Sequence, residues 1–209
     1  MAYYPILIDW QGVPCLVAGG GRIALHKAEL LCAQGADVTV VAPEVCPEIE
    51  ALPLHIERRK VRAEDAEGKL LVADASGSPE AEAVLREACR EGHIPFVCAG
   101  HGEACTAILP AVHRKGRTVV AVSSVGASPA ASAWLRDYLA SRVPEKMDEI
   151  LECMASLRPL SHEYFAEQPV RRRFLRRCLE RMLEENRVLT GAEIEAARLE
   201  TEEEERNER

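Results

Sequence analysis

Three glycines near the N-terminus form the pattern with the clearest chemical meaning in this sequence. Residues 15–24 read Cys-Leu-Val-Ala-Gly-Gly-Gly-Arg-Ile-Ala, so a strand-like apolar run meets a glycine turn and a helix-like segment. Gly19, Gly21 and Ala24 match the dinucleotide pattern G-x-G-x-x-G/A, in which the second glycine leaves room for a pyrophosphate. The free N–H groups at the helix start would attract the phosphates. The predicted cofactor contacts are Gly19, Gly20, Gly21, Arg22, Ile23 and Ala24.

The segment after this helix predicts a second parallel strand and a possible ribose contact. Residues 38–41 read Val-Thr-Val-Val, and Pro43 and Glu44 follow them. An acidic residue about 20 residues after the glycines commonly accepts a hydrogen bond from a ribose hydroxyl. Glu44 is either that residue or a solvated loop carboxylate, so Pro43 and Glu44 are candidate cofactor contacts. Because Glu44 lies beyond the strand end, NAD and NADP both remain open.

Alternating strand and helix patterns surround these residues and predict an α/β, Rossmann-like, doubly wound parallel sheet. Strand patterns occupy 13–18, 37–41, 53–57, 69–73, 94–98 and 118–122, and the helix patterns between them occupy 22–34, 44–51, 79–91 and 103–114. Beyond Pro129 only helix patterns remain, at 130–142, 145–157, 160–168, 170–186 and 190–207. We therefore predict a Rossmann domain over 1–113, a connector of one strand and one helix over 114–144, and a small helical domain with a charged tail over 145–209.

Composition limits the kinds of partner. A formal net charge of −8 over 209 residues argues against a nucleic-acid partner. No apolar run approaches the roughly 20 residues that span a bilayer, and the first residues do not resemble a signal peptide. We expect a cytoplasmic protein with no membrane partner. The eight cysteines contain no C-x-x-C pair, which favours reduced, mostly buried thiols and no metal site.

Five segments occur in an order that is similar to a known family. They are Pro-Ile-Leu-Ile-Asp from Pro5, Gly-Gly-Gly-Arg-Ile-Ala-Leu-His-Lys from Gly19, Val-Thr-Val-Val-Ala-Pro from Val38, Ile-Leu-Pro-Ala from Ile108, and Val-Ala-Val-Ser-Ser-Val-Gly-Ala-Ser-Pro from Val120. Over about residues 3–145 the chain resembles the precorrin-2 dehydrogenase/sirohydrochlorin ferrochelatase family, the N-terminal module of siroheme synthase. The resemblance implies NAD as cofactor and a tetrapyrrole substrate, precorrin-2, which is oxidised to sirohydrochlorin. In some members of the family the same protein also inserts Fe²⁺. The resemblance also implies a homodimer formed through the region 114–144.

The carboxylates on the substrate side of that family are missing here. The family carries an aspartate ten residues before the proline that matches Pro110, and Gly100 stands at that position. The family's Thr-Asp-Asp-Pro turn reads Ser-Gly-Ser-Pro from Ser76, which the resemblance makes a candidate cofactor contact. His101 follows the missing carboxylate and is a candidate catalytic residue. Its imidazole could accept a proton as hydride leaves or ligate iron, and the alternative is a loop histidine with no role.

Three further residues are candidate substrate contacts. The resemblance places the Ser-Ser-x-Gly-x-Ser-Pro loop against the tetrapyrrole, which makes Ser124 a candidate catalytic and substrate-binding residue and Ser128 a substrate contact. Alternatively, Ser128 caps a helix that begins at Pro129. Lys27 follows the glycine turn and could pair with a substrate carboxylate, or it lies on a solvated helix face.

The resemblance implies an NAD-dependent precorrin-2 dehydrogenase. The loss of the family aspartate at Gly100 keeps two alternatives open, a non-catalytic protein that binds tetrapyrroles or nucleotides, and a ferrochelatase alone. Trp134, Leu135 and Tyr138 share one face of a predicted helix in the region that the resemblance assigns to dimerisation. We therefore expect these side chains to be buried between two subunits.

Overall fold

The computed structural model describes residues 3–100 and 102–208. The chain divides into two compact units, each described separately below. The first unit extends to Leu109 and includes residues 125–127, and the second comprises Pro110–Ser124 and the chain from Ser128 onward.

A five-stranded sheet in the order β3-β2-β1-β4-β5 forms the centre of the first unit. All neighbouring strands are parallel, as predicted. The order reverses between β1 and β4, which is the point where open α/β sheets bind ligands at the carboxyl ends of the strands. The elements are β1 (Pro14–Ala18), α1 (Arg22–Cys32), β2 (Asp37–Val41), α2 (Pro47–Glu50), β3 (His55–Glu57), β4 (Leu71–Asp74), α3 (Pro79–Glu91) and β5 (Phe96–Cys98).

Both faces of this sheet are covered by helices, which explains its apolar strands. Cys15 and Val17 of β1 pack with buried residues of α1, whereas Leu16 and Ala18 pack on the opposite face with buried residues of α3. All four of these β1 residues have no exposed surface. The two apolar layers fix the positions of the carboxyl ends of β1, β4 and β5, which carry the candidate site.

A β-hairpin and four helices make up the second unit. Strands β6 and β7 are antiparallel, and α4 contacts both of them. Helices α5, α6 and α7 share an apolar core that includes Ile150, Phe174 and Ala197. The elements are β6 (Ala111–Lys115), β7 (Thr118–Val122), α4 (Pro129–Ala140), α5 (Met147–Tyr164), α6 (Gln168–Glu185) and α7 (Gly191–Glu208). Within the described residues, no helix is both long and apolar enough to cross a membrane.

The helix predicted over 103–114 is wrong. Residues Gly102–Ala104 form a single 3₁₀ turn, and Ala111 begins β6, which pairs with β7 from Ala111 opposite Val122 to Lys115 opposite Thr118. The backbone of this segment therefore completes a hairpin with the predicted strand at 118–122. The predicted boundary at residue 113 consequently falls inside β6.

The two helices predicted at 145–157 and 160–168 are also wrong as separate elements. They form one helix, α5, with Pro159 inside it. A proline removes one helical hydrogen bond. Leu157 and Ser161 on either side of Pro159 are buried, and Leu157 belongs to the shared core, so packing keeps the helix continuous.

Candidate functional site

The glycine loop between β1 and α1 is held by backbone hydrogen bonds from its neighbours. Gly19 N donates to Val41 O at 3.0 Å, and Cys46 N donates to Gly20 O at 2.8 Å. On the other side, Ala75 N donates to Ala18 O at 2.8 Å. The loop is therefore fixed between the segments that follow β2 and β4.

Backbone packing explains why the first two positions of the loop are glycines. Gly19 has φ +113°, in the left-handed region, and a Cβ there would lie 2.9 Å from Ser76 N. A Cβ on Gly20 would lie 2.8 Å from the carbonyl carbon of Glu44 and would contact its carbonyl oxygen. These neighbours are backbone atoms, which cannot rotate away as a side chain can. Both glycines are therefore required by the packing of the loop itself.

Gly20→Ala should lower the free energy of unfolding, because its methyl group would collide with the Glu44 backbone. Overpacking of this kind costs roughly 1–3 kcal/mol. Gly21→Ser is the matched control, since a Cβ at Gly21 meets nothing within 4 Å and serine suits the N-cap of the helix. Urea unfolding of both variants checks the prediction. Equal stability of the two would show that the segment around Glu44 yields to the added methyl group.

Gly21 differs from its neighbours because it faces open space at the start of α1. It is the N-cap residue, with φ −91° and ψ −171°. The first hydrogen bond within the helix is donated by Leu25 N to Gly21 O, so the N–H groups of Arg22, Ile23 and Ala24 precede it. In the described part of the chain no side chain caps this end, and the first turn holds no acidic residue. Free donors, the positive end of the helix dipole and the space at Gly21 fit a dinucleotide pyrophosphate.

The other predicted cofactor contacts lie around this loop. Ala24 is fully buried in the core, as close helix–strand packing requires, whereas Arg22 and Ile23 are exposed. Pro43 and Glu44 are exposed, and the Glu44 carbonyl closes one side of the loop against Gly20. On the opposite side, Ser76 N donates to Asp74 Oδ1 at 2.9 Å. Lys27, which is a predicted substrate contact, lies half-buried on α1.

Asp74 is a feature of this sheet edge that the sequence analysis does not single out. It ends β4 and is only 4% exposed. Burial and the nearby carboxylates of Glu82 and Asp74 raise the pKa of the Cys98 thiol to about 12, so this thiol is protonated at neutral pH. Its Sγ lies 3.9 Å from Asp74 Oδ2. In the sequence, the sign that could have identified Asp74 is its acidic side chain at the end of an otherwise apolar strand.

The loop after β5 borders a cavity of about 520 Å³. Gly100 has φ +96°, a conformation that favours glycine. His101, the predicted catalytic histidine, lies outside the described residues. Described residues that line the cavity are Glu82, Arg86, Gly100, Gly102, Glu103 and Ala104.

Ser124 and Ser128 form a group of their own in the second unit. Ser128 Oγ accepts a hydrogen bond from Ala131 N at 3.1 Å, so Ser128 caps α4, which is one of the two alternatives for this residue. Ser124 Oγ donates to Ser128 O at 2.9 Å and accepts from Ser128 N at 2.9 Å. Ser132 Oγ lies 2.9 Å from Ser124 Oγ. The Ser124 hydroxyl is therefore engaged in holding the start of α4.

Comparison with known proteins supports the cofactor assignment. The family model described as "Putative NAD(P)-binding" matches residues 6–111, which is half of the chain. The siroheme synthase of Methylococcus capsulatus is 32% identical over 184 residues, covering 86% of this chain and 39% of that protein. The siroheme synthase of Thioalkalivibrio sulfidiphilus is 33% identical over 184 residues, covering 86% and 38%. The chain thus spans about two fifths of the length of these curated relatives.

A solved structure shares the fold. The structure described as "SirC, precorrin-2 dehydrogenase" matches with a TM-score of 0.66 and 23% identity, covering 96% of this chain and 100% of that one. This likeness confirms the predicted Rossmann-like architecture. The match to the family model covers the parallel sheet and the glycine loop, whose open helix start fits a dinucleotide. The chain belongs to this NAD(P)-binding family.

Proposed function

We propose that this chain oxidises precorrin-2 to sirohydrochlorin with NAD, as a step of siroheme biosynthesis. The observation that carries the proposal is an intact dinucleotide loop in a chain whose relatives are named siroheme synthase. The solved protein that shares its fold is named as a precorrin-2 dehydrogenase, which supports the same reaction. We further propose that the protein acts in the cytoplasm.

Different residues of this chain would bind the cofactor, bind the substrate and accept the proton. The helix start at Gly21 binds the pyrophosphate, and Glu44 accepts a hydrogen bond from a ribose hydroxyl. When bound, the nicotinamide supplies the acceptor for the hydride that leaves the macrocycle. His101 accepts, on an imidazole nitrogen, the proton that leaves with it. Lys27 pairs with a substrate carboxylate, and Ser124 and Ser128 shape the substrate loop.

An anaerobic assay tests this proposal. Purified protein is mixed with NAD and precorrin-2, and NADH formation is followed by absorbance, with the Methylococcus capsulatus siroheme synthase as positive control. We expect NADH to form in proportion to sirohydrochlorin. No NADH under conditions in which the control reacts would exclude the dehydrogenase. Parallel reactions with NADP determine which dinucleotide the chain uses.

The backbone at Gly100 favours one of the alternatives, a protein that binds the tetrapyrrole without turnover. The conformation with φ +96° would strain the aspartate that the family carries at this position, as it strains any residue with a Cβ. Tight binding of sirohydrochlorin with no NADH formation would support this alternative. Comparing Fe²⁺ insertion with and without the protein distinguishes the third candidate, a ferrochelatase alone.

We also propose that α4 forms a homodimer interface. Four of its apolar side chains are exposed, from 40% for Leu135 to 64% for Trp134. The Trp134 and Tyr138 rings stack with centroids 5.4 Å apart, which makes a continuous aromatic surface. Soluble monomers seldom expose contiguous apolar patches of this kind unless they bind a partner. A second copy of the chain, placing its own α4 on this face, would cover these side chains.

Trp134→Glu should weaken the dimer by about 30-fold or more, because a buried tryptophan at an interface typically contributes at least roughly 2 kcal/mol. Sedimentation velocity over a micromolar concentration range measures the change. Leu199→Glu is the control, since Leu199 is 51% exposed on α7 and lies outside the proposed interface. A wild-type protein that sediments as a monomer at micromolar concentration would contradict the interface.

A further inference from the structure

Asp74 and Cys98 lie side by side at the carboxyl ends of two adjacent strands. They are paired in register between β4 and β5. Because alternate residues of a strand point to the same face, Asp74 shares a face with Val72, and Cys98 with Phe96. Val72, Phe96 and Cys98 pack in the cluster that contains Leu85 and Cys89 of α3. Both side chains therefore point toward α3.

A third ligand atom comes from the first turn of α3. Glu82 lies there, and the ligand atoms of Asp74, Glu82 and Cys98 are all within 4.8 Å of one another. Donors around one tetrahedral zinc ion lie roughly 3.3–3.8 Å apart, given bond lengths of about 2.0 Å to oxygen and 2.3 Å to sulfur. The pair formed by Asp74 Oδ2 and Cys98 Sγ, at 3.9 Å, is already close to that range.

One carboxylate oxygen of the buried Asp74 faces this cluster. Asp74 is 4% exposed, and its Oδ1 accepts the hydrogen bond from Ser76 N. In the described part of the chain, the partner of its Oδ2 is the Cys98 thiol, at the long distance of 3.9 Å. Arg86 Nη1 lies 3.7 Å from Glu82 Oε1, and the Arg86 side chain is 56% exposed. A buried carboxylate needs a strong hydrogen bond or a compensating positive charge, and Oδ2 is directed into the cluster.

We propose that Asp74, Glu82 and Cys98 bind one divalent transition-metal ion and leave a fourth coordination position open. Two carboxylates with one thiolate, whose proton the ion displaces on binding, favour Zn²⁺, Fe²⁺ or Co²⁺ over Mg²⁺ and Ca²⁺, because hard ions bind sulfur poorly. Glu82 also lines the 520 Å³ cavity, which provides a path for the ion. This site goes beyond the proposed function, since none of its three residues has a part in hydride transfer or cofactor binding.

Cobalt provides a direct test, because a cysteine thiolate bound to Co²⁺ absorbs in the near ultraviolet by charge transfer. The full chain is treated with a chelator, desalted and titrated with Co²⁺. We expect one equivalent to bind and produce the sulfur band, and Zn²⁺ to displace it. Cys98→Ala should lose the band. Asp74→Asn should bind at least about tenfold more weakly, since even changes beyond the metal ligands cost that much.

Cys89→Ala is the matched control, because Cys89 is 2% exposed in the same apolar cluster and is not one of the three ligands. It should keep the band and the affinity. Circular dichroism checks that each variant folds. If Cys98→Ala does not fold, Glu82→Gln, which changes a half-buried side chain, is tested in its place. No band in the wild type, a band retained without the Cys98 thiol, or an equal loss in Cys89→Ala would overturn the site.

Discussion

Replacing Gly21 with aspartate is expected to abolish dinucleotide binding. The residue is the N-cap of α1, and an added Cβ would enter the open space at the helix start, where it meets nothing within 4 Å. A carboxylate there would lie against the pyrophosphate and would compete for the same N–H groups of Arg22, Ile23 and Ala24. Repulsion between like charges and loss of these donors act together. Titration of the protein with NAD, followed by calorimetry, measures the effect.

The same substitution should leave the fold intact or make it slightly more stable. Gly21 is an N-cap with extended backbone angles, φ −91° and ψ −171°, which aspartate adopts without strain. Aspartate is among the preferred N-cap residues and exceeds glycine by a few tenths of a kcal/mol. Gly21→Asn is the control, because asparagine has the same shape and capping ability without the charge. Unchanged NAD affinity in Gly21→Asp would mean that the loop is only a turn between strand and helix.

The cofactor loop could be predicted from the sequence because its determinants are local. The residues from Cys15 to Ala24 are consecutive, so their types dictate strand, turn and helix without reference to the rest of the chain. The last position of the pattern must be small so that the helix can pack close to the strand, and Ala24 is fully buried there. The pattern could not reveal why residue 20 is a glycine, because the reason is the backbone of Glu44, which a Cβ at this position would meet.

The features that sequence reasoning missed depend on contacts between distant segments. The segment from Gly102 to Lys115 has an apolar content that suits a helix, yet pairing with β7 makes its last five residues a strand. The cluster of Asp74, Glu82 and Cys98 likewise depends on the register of β4 with β5 and on the position of α3. Spacings of 8 and 16 residues, read from the residue numbers, match no ligand motif. Tertiary packing alone brings these donors together.

The loop at Gly100 illustrates the limit of transferring a family role by position. The resemblance indicates that an aspartate is missing there, but only the structure shows that φ is +96°. Gly100→Asp restores the family residue in a backbone conformation that costs a residue with a Cβ about 1–2 kcal/mol. We therefore expect this variant to be less stable than the wild type, whatever it does to activity. A substitution at His101 is the cleaner test of the proposed proton acceptor.

His101→Ala should reduce the turnover of precorrin-2 by roughly 10²–10⁴-fold, the usual effect of removing a general base. NAD affinity should stay unchanged, because the proposed pyrophosphate contacts are the glycine loop and the start of α1, and His101 is not among them. Rates measured across pH distinguish a proton acceptor from a loop histidine with no role. If His101 is the acceptor, the wild-type rate should fall as the imidazole is protonated, and the variant should lose that dependence. His101→Gln is the control for size and hydrogen bonding. If His101→Ala turns over normally, the histidine is a bystander, and the proton passes to solvent.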